Sequence, residues 1–497
     1  MAIAEPLYAA AEMRAAEEAY EGPTLELMER AGAAAAEAAL RRYADARSYS
    51  VWCGAGSNGG DGLVVARKLH EAGRAVAVRL TTAEQKLAGD AVENLGRARE
   101  AGVAITEEPG VGDVVVDALF GTGFSGRPRP EAGRMITELN ALGARVLAVD
   151  VPSGVDASTG EVAGPAVEAD CTVTFHAAKV GLAVAPGRFH AGDVEVADIG
   201  LPHTAETRHR RVSAEILGLV PRRGPKDNKY SAGSVLVVGG STGLTGAPSL
   251  AAEAALRAGA GIVTACVPAS LNLVFEQRLL EVMTRPCEDE DGVMTVEAAD
   301  EIIDAATRAD AVALGPGLGR TDGARALVGF LLDRLDKPVV LDADGLWAVV
   351  GHLDWIFSRE APTVLTPHAG ELARLLGRKS EWVSARRLNA VQAGADDVGA
   401  VVVLKGADTL VAAPGRGVLV CDLGNPGLAT AGTGDVLTGV VAAFLAKGME
   451  ARRAAAAAAA AGGAAAGIAA ERHGEAGLIA RDVVDALSPA LSGRRGS

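Results

Sequence analysis

Asn58 and Asp61 sit inside a glycine run, C-G-A-G-S-N-G-G-D-G from Cys53 to Gly62, that also spells G-x-G-x-x-G at Gly54, Gly56 and Gly59. Glycines let a backbone approach an anion, and a helix opening after them offers free N–H groups and the positive end of its dipole. A dinucleotide fingerprint also asks for an acid at the end of the next strand, to take the ribose hydroxyl. That strand ends Val78-Arg79-Leu80-Thr81-Thr82, with no acid. Arg79 would serve an NADP version, but Asn58 and Asp61 would still lack a role. The loop reads as a ligand loop rather than a bare turn.

Two further strand ends converge on the same edge. Asp117 precedes A-L-F-G-T-G-F-S-G-R (118–127), and Asp150 precedes V-P-S-G-V-D (151–156). A lone aspartate at a strand end is commonly a cap or turn former. Two of them, each beside a glycine-bearing loop, read as a site. Asn58, Asp117 and Ser153 offer hard oxygens, which suit an alkali or alkaline-earth ion rather than zinc. Asp150 is then left as a general acid/base.

In the second half, G-N-P-G-L-A-T-A-G-T-G-D-V-L-T-G (424–439) places Gly432-Thr433-Gly434-Asp435 at the start of an apolar helix. The first N–H groups of that helix form an anion hole for a transferring phosphoryl group, and Asp435 at its mouth can take a proton from a hydroxyl. Lys405-Gly406-Ala407-Asp408-Thr409 follows a strand and is similar to a nucleotide-phosphate loop without being a Walker sequence. Shorter pieces accompany these: Asn228-Lys229-Tyr230, Gly239-Gly240-Ser241, Gly246-Ala247-Pro248, the glycine turn 315–319, Asp342-Ala343-Asp344 and T-P-H-A-G-E (366–371). Each alone is a common turn, and His368 alone is more often structural.

These loops need strands that end together. In the first half, 50–54, 75–80, 113–120 and 145–152 read as buried parallel strands, with 170–175 and 193–200 as further ones. Helices are expected over 84–101, capped by Thr82, over 131–142, and from near Gly60. A polar stretch from His203 to Val212 reads as a linker. A second strand series follows at 233–240, 260–268, 309–317, 338–345, 362–368 and 400–406, and the last third is helix-rich. The expectation is α/β with two domains, 1–212 and 213–497. The first is a Rossmann-like doubly wound sheet whose ligands sit at the carboxyl ends of its strands.

The 497 residues suit several domains, and the net charge of −15 argues against nucleic acid or an anionic membrane as partner. Five scattered cysteines read as free thiols in a reducing, cytoplasmic compartment. The N-terminal stretch carries acids and lacks the apolar run of a signal peptide. The alanine-rich segment 454–470 has almost no large apolar residue and reads as a closely packed buried helix.

Taken in order, G-x-G-S-N-G-G-D-G, D-A-L-F-G-T-G, A-V-D-V-P-S-G and T-F-H-A-A-K (174–179) resemble the YjeF N-terminal family, the NAD(P)H-hydrate epimerases, over residues 1 to about 205. The resemblance implies that Ser57, Asn58, Gly59, Gly60 and Asp61 bind the hydrated dinucleotide. Gly121, Thr122, Gly123, Phe124, Ser125, Gly126, Arg127 and Asp150 are implied with them. It also implies K⁺ at Asn58, Asp117 and Ser153. Ser57 stands where the family usually has Asn, and Lys179 fits the family pattern without an assigned role.

The later motifs resemble the ribokinase-like YjeF C-terminal family, the ADP-dependent NAD(P)H-hydrate dehydratases, across about 216–490. This implies a ribokinase-like α/β/α domain in which Lys405, Gly406, Ala407, Asp408, Thr409 and Gly434 bind ADP. Ala247, Gly317, His368 and Asp435 would bind the hydrate, and Mg²⁺ is expected with the nucleotide. Asn228, Gly345 and Ala431 depart from the family's usual His, Ala and Gly. The combined expectation is an isomerase and lyase acting on NADHX and NADPHX, assembled as a homo-oligomer. Two rivals share parts of the pattern: an ATP-dependent kinase of a vitamin or sugar hydroxyl, and a first domain that binds without catalysing.

Overall fold

A computed structural model describes residues 3–108, 110–202, 206–226 and 228–493. The chain divides into two compact units, one of residues 6–209 and one of residues 210–497 joined by the first five positions.

In the first unit seven parallel strands form one sheet. Its order is Ala104–Ile105, Ala75–Leu80, Ser48–Cys53, Val114–Ala118, Arg145–Val149, Cys171–Phe175 and Asp193–Ala197. The central strands are β-branched and buried on both faces, as parallel strands under helices must be. Chain order reverses between Ser48–Cys53 and Val114–Ala118, so the loops after Cys53 and Ala118 open a crevice there. Helix Thr24–Arg42 packs on this sheet through Leu27, Ala31, Ala35, Ala38 and Ala39, a helical-period stripe, and ends in Arg41 and Arg42 at the negative pole of its dipole.

The helix expected over 84–101 is shorter. Glu84–Lys86 forms one 3₁₀ turn, and the α-helix runs Asp90–Glu100 from an N-cap at Gly89 with φ +56°; Thr82 does not cap it. The loop helix starts at Ser57 rather than Gly60. The expected linker is also partly structured. His203, Thr204 and Ala205 lie outside the described residues, but His209–Val212 is a strand with His209 and Val212 buried. Its HRRV sequence hides a strand near the end of the second sheet, and Arg211 faces outward to pair with Asp422 at 2.8 Å.

The second unit centres on a parallel run in the order Val401–Leu404, Thr363–Leu365, Val339–Leu341, Ala311–Leu314, Ser234–Val238, Ile262–Pro268 and Met283–Cys287. Chain order again reverses, here between Ser234–Val238 and Ala311–Leu314. Beyond Val401–Leu404 the sheet continues with antiparallel Thr409–Ala412 and Leu419–Cys421, then His209–Val212 and the strand Ala4–Leu7. Helix Ala451–His473 is long and apolar enough to cross a membrane by composition. Its alanines 454–458, 460 and 461 are buried in this unit's core. Gly463 lets it approach the Leu423 backbone where a Cβ would meet it at 2.8 Å.

Candidate active sites

At the first crevice the loops enclose a cavity of about 680 Å³. Ser57, Asn58 and Asp61 line it from the helix Ser57–Glu71, Gly121 through Ser125 from the next loop, and Asp150 from the third. Gly59 and Gly60 lie beneath this wall; a Cβ on Gly59 would stand 2.0 Å from the Gly54 carbonyl oxygen, so only glycine fits. Gly126 and Arg127 are not on the wall, and the Arg127 side chain lies beside Gly164.

Asp150 is the most constrained side chain here. Its backbone has φ +69°, a conformation rare outside glycine. Its Oδ2 accepts from the Thr122 N–H at 2.8 Å and from the Thr122 hydroxyl. Its Oδ1 accepts from Thr174 Oγ1 at 3.2 Å and pairs with Lys179 Nζ at 2.9 Å. Burial raises the Asp150 carboxyl, but the Lys179 charge and the Thr122 bonds outweigh it and hold the group below its ordinary value. Asp61 goes the opposite way: burial, then the charges of Asp150 and Glu17, push it well above the carboxylate range against the pull of Lys179. A pair of acids driven apart in this way can hold one proton between two roles.

Asp117 is fully buried and accepts from Ser153 Oγ at 2.7 Å, Ser153 N at 2.8 Å and Leu119 N at 3.2 Å. Burial still pushes its carboxyl up to about 6 against these bonds. Asn58 is buried with neither its amide nitrogen nor its amide oxygen hydrogen-bonded. An orphaned carbonyl oxygen and a carboxylate raised by desolvation are both relieved by a cation.

Among the charged members of this cavity, sequence reasoning missed Arg14, Glu17 and Asp90. Arg14 and Glu17 line it from helix Ala10–Glu18, and burial, then the Asp150 charge, raises Glu17. Their i,i+3 spacing puts them on one face, but nothing in an acidic, alanine-rich helix says which charges meet a ligand.

In the second unit Asp435 lies in the first turn of helix Thr433–Ala446, after Gly432 at φ +91°. Lys405 Nζ reaches Asp342 Oδ1 at 3.0 Å and lies 4.0 Å from Glu371 Oε2. A Cβ on Gly434 would stand 3.2 Å from that ammonium, so the lysine and the helix start share one site. Asp342 Oδ2 accepts from Thr438 Oγ1 at 2.7 Å, tying the same helix to the end of strand Val339–Leu341. Gly317, at φ +62°, and Ala247 in the first turn of Gly246–Arg257 come together, since a Cβ on Gly317 would lie 3.5 Å from Ala247 Cβ.

Other members of the predicted set take supporting places. Asp408 is fully buried and paired with Arg387 at 2.8 Å; its side chain anchors the 405–409 loop from beneath. The Arg387 guanidinium also packs against Gly406, where a Cβ would meet it at 2.5 Å. Arg387 is a further miss, because a basic residue opening a helix gives no sign of burial. Thr409 begins an antiparallel strand. His368 caps helix Ala369–Leu375: Nδ1 accepts from Gly370 N at 3.0 Å, and Glu371 Oε2 accepts from His368 N at 2.8 Å. Its ring remains exposed, so capping and ligand contact are compatible. Ala407 falls in the turn between strand and loop.

Residues 235–489 match the family described as NAD(P)H-hydrate dehydratase, and residues 24–181 the family described as YjeF-related protein N-terminus. The chain is 40% identical to the bifunctional NAD(P)H-hydrate repair enzyme Nnr of Moorella thermoacetica, over 97% of this chain and 96% of that one. It is 37% identical to the enzyme of the same name from Escherichia coli, over 93% and 88%. Among solved structures, the ADP/ATP-dependent NAD(P)H-hydrate dehydratase of Bacillus subtilis is similar at 27% identity and TM-score 0.49, covering 56% of this chain and 97% of that one.

Proposed function

The chain belongs to the bifunctional NAD(P)H-hydrate repair enzymes, and from that premise we propose that the Asp150 cavity is its epimerase site and the Lys405–Asp435 cluster its dehydratase site. The enzyme interconverts the R and S hydrates of NADH and NADPH in a Rossmann-like unit. It dehydrates the S form with ADP in a ribokinase-like unit, giving NAD(P)H, AMP and phosphate. The observation that carries the assignment is the pairing of one divergent carboxyl couple, Asp150 and Asp61, with a separate helix-start carboxyl, Asp435, beside a lysine.

At the second site Asp435 takes the hydrate's hydroxyl proton as the oxygen attacks the terminal phosphorus of ADP. The N–H groups at Thr433–Asp435 steady the moving phosphoryl group, and AMP leaves. The hydroxyl is now a phosphate ester; its C–O bond breaks with the pair leaving on phosphate, and the adjacent ring carbon loses a proton to form the double bond of the reduced ring. Lys405 supplies positive charge to the nucleotide phosphates. Among the described residues no trio of His, Cys, Asp and Glu side chains is arranged to hold a metal alone. The carboxylates of Asp342, Glu371 and Asp435 would draw Mg²⁺, which would supply charge neutralisation at the nucleotide phosphates.

K⁺ would be held by Asn58, Asp117 and Ser153. The orphaned Asn58 oxygen supports that reading, as does the hard-oxygen set. Replacing K⁺ with tetramethylammonium is expected to lower the melting temperature of the wild type, and Asp117→Asn is expected to abolish the difference; an equal salt response in both would remove the ion from this site. We also read the chain as a cytoplasmic homo-oligomer without nucleic acid or membrane partners. The five cysteines, all free and buried, support a reducing compartment. Exposed Leu280 and Met283 beside the sheet-edge strand Met283–Cys287 favour self-association.

The assignment of two sites is tested by separation. Asp150→Ala should stop enzymatic epimerisation and spare dehydration, while Asp435→Ala does the reverse, followed by chromatography of the two hydrates. An Asp150→Ala protein that epimerises at the wild-type rate, with spontaneous conversion subtracted, would return the first unit to a binding role.

A further inference from the structure

Lys179 is wholly buried, and the account above uses it only as a charge beside Asp150. Its Nζ lies 2.9 Å from Asp150 Oδ1, 2.8 Å from Thr174 Oγ1 and 2.7 Å from the Phe175 carbonyl oxygen. An ammonium has three donors, and these three acceptors use them all. Burying such a charge costs several kcal/mol unless its partners are well placed. Thr174 donates in turn to the same Asp150 Oδ1, while Thr122 holds Oδ2 through its N–H and its hydroxyl. Both carboxylate oxygens are thus gripped, on a residue whose φ of +69° only its surroundings can maintain. The side chain so held lines a cavity, with no spare rotamer freedom.

Resting on the epimerase reading of that cavity, we propose that Lys179 is the positioning residue of the epimerase, locking Asp150 as an oriented carboxylate that accepts a proton, with Asp61 as the proton donor of the pair. The charged groups bearing on the couple come from each packed element. Glu17 and Arg14 face it from Ala10–Glu18, Asp61 from Ser57–Glu71 and Asp90 from Asp90–Glu100, with Lys179 beneath. Only Lys179 is both buried and bonded to Asp150. Epimers differ in configuration alone, so the reaction neither takes up nor releases a proton overall. Asp150 takes the proton of the hydroxyl on the ring carbon while Asp61 delivers one to the adjacent ring nitrogen, so the carbon–nitrogen bond breaks and a carbonyl forms; the same bond re-forms on the carbonyl's other face as both transfers reverse. Each returns to its starting state when the centre is rebuilt on the other face, so the protons balance within the site. Both carboxyls line the one cavity, and their opposed directions, Asp150 lowered by its lysine and Asp61 raised by burial, fit this division.

The test uses the full chain carrying Lys179→Met, which keeps the side chain's length and removes its charge. Turnover from R to S hydrate should fall by roughly 100-fold or more, with a much smaller change in KM, as expected for loss of an oriented base. The acid limb of its pH profile should move to higher pH, because without the cation the Asp150 carboxylate is harder to form. The double variant with Asp150→Asn should be no slower than Asp150→Asn alone, since the lysine acts only through the aspartate. Thr174→Val, which deletes the shared hydroxyl and keeps the ammonium, should show a smaller fall and the same direction of pH shift. A melting curve and S-hydrate dehydration check folding of each variant. Unchanged turnover and pH profile in Lys179→Met would overturn the proposal. So would losses that multiply in the double variant, which would put the lysine on the substrate, or a lower turnover with an unshifted profile in both variants. A wild-type protein that fails to epimerise at all would instead refute the reading of the cavity.

Discussion

Burial, then the charge of Asp342, pushes the Asp435 carboxyl up to about 7, against the pull of Lys405 and with help from Asp344 and Glu371. A base works only when ionised, so dehydration should rise as pH climbs through about 7 and level off above it. Lys405→Met removes the one neighbour that favours the carboxylate. Its acid limb should therefore move to higher pH, on top of weaker ADP binding seen as a raised KM. A profile centred near ordinary carboxylate values in the wild type would take the proton-accepting role away from Asp435. Asp150 sits at the other extreme, since its lysine and threonine partners overcome burial and keep it charged. Two aspartates with the same intrinsic acidity are tuned in opposite directions by their surroundings: a bonded lysine at 2.9 Å and the Thr122 donors for Asp150, burial and neighbouring acids for Asp435.

Glycine placement sets how closely the elements approach. At Gly59 a side chain would collide with the Gly54 carbonyl oxygen, which is backbone and cannot swing aside. Gly59→Ala should therefore displace the start of helix Ser57–Glu71 and abolish epimerisation, while S-hydrate dehydration continues; a variant with wild-type epimerisation would show that the loop tolerates a shift. The glycine loops, and the buried strands that carry them, were legible because both depend on local sequence: β-branched runs for the strands, and polar residues between glycines for the loops. What was not legible depends on long-range packing. Gly89 at positive φ cut an expected helix in two, and HRRV concealed a strand whose partners lie far along the chain. Arg14 and Glu17 remain exposed and differ from other surface charges only in lining the cavity, while Arg387 looks like a surface charge until the fold buries it. His368 was legible as a special position, yet the structure gives it a capping role that its motif does not announce.

At the scale of the whole molecule, one topological device appears in both units. The parallel run of each sheet reverses chain order at one point, and each candidate site draws on a loop that leaves a strand there. On the proposed assignment the opening G-x-G-x-x-G would face a nicotinamide dinucleotide as substrate, whereas in a dehydrogenase the same pattern would hold the coenzyme. Having both units on one chain means a mixed pool of R and S hydrates can be cleared completely, because epimerisation feeds the form that dehydration consumes. The most direct measurement is the recovery of NADH absorbance from a mixed R and S hydrate pool, with purified protein and either ADP or ATP as the phosphoryl donor. The account predicts conversion of the entire pool with ADP, and a halt at the S fraction in Asp150→Ala, followed only by slow spontaneous conversion. No recovery of NADH with ADP would contradict it.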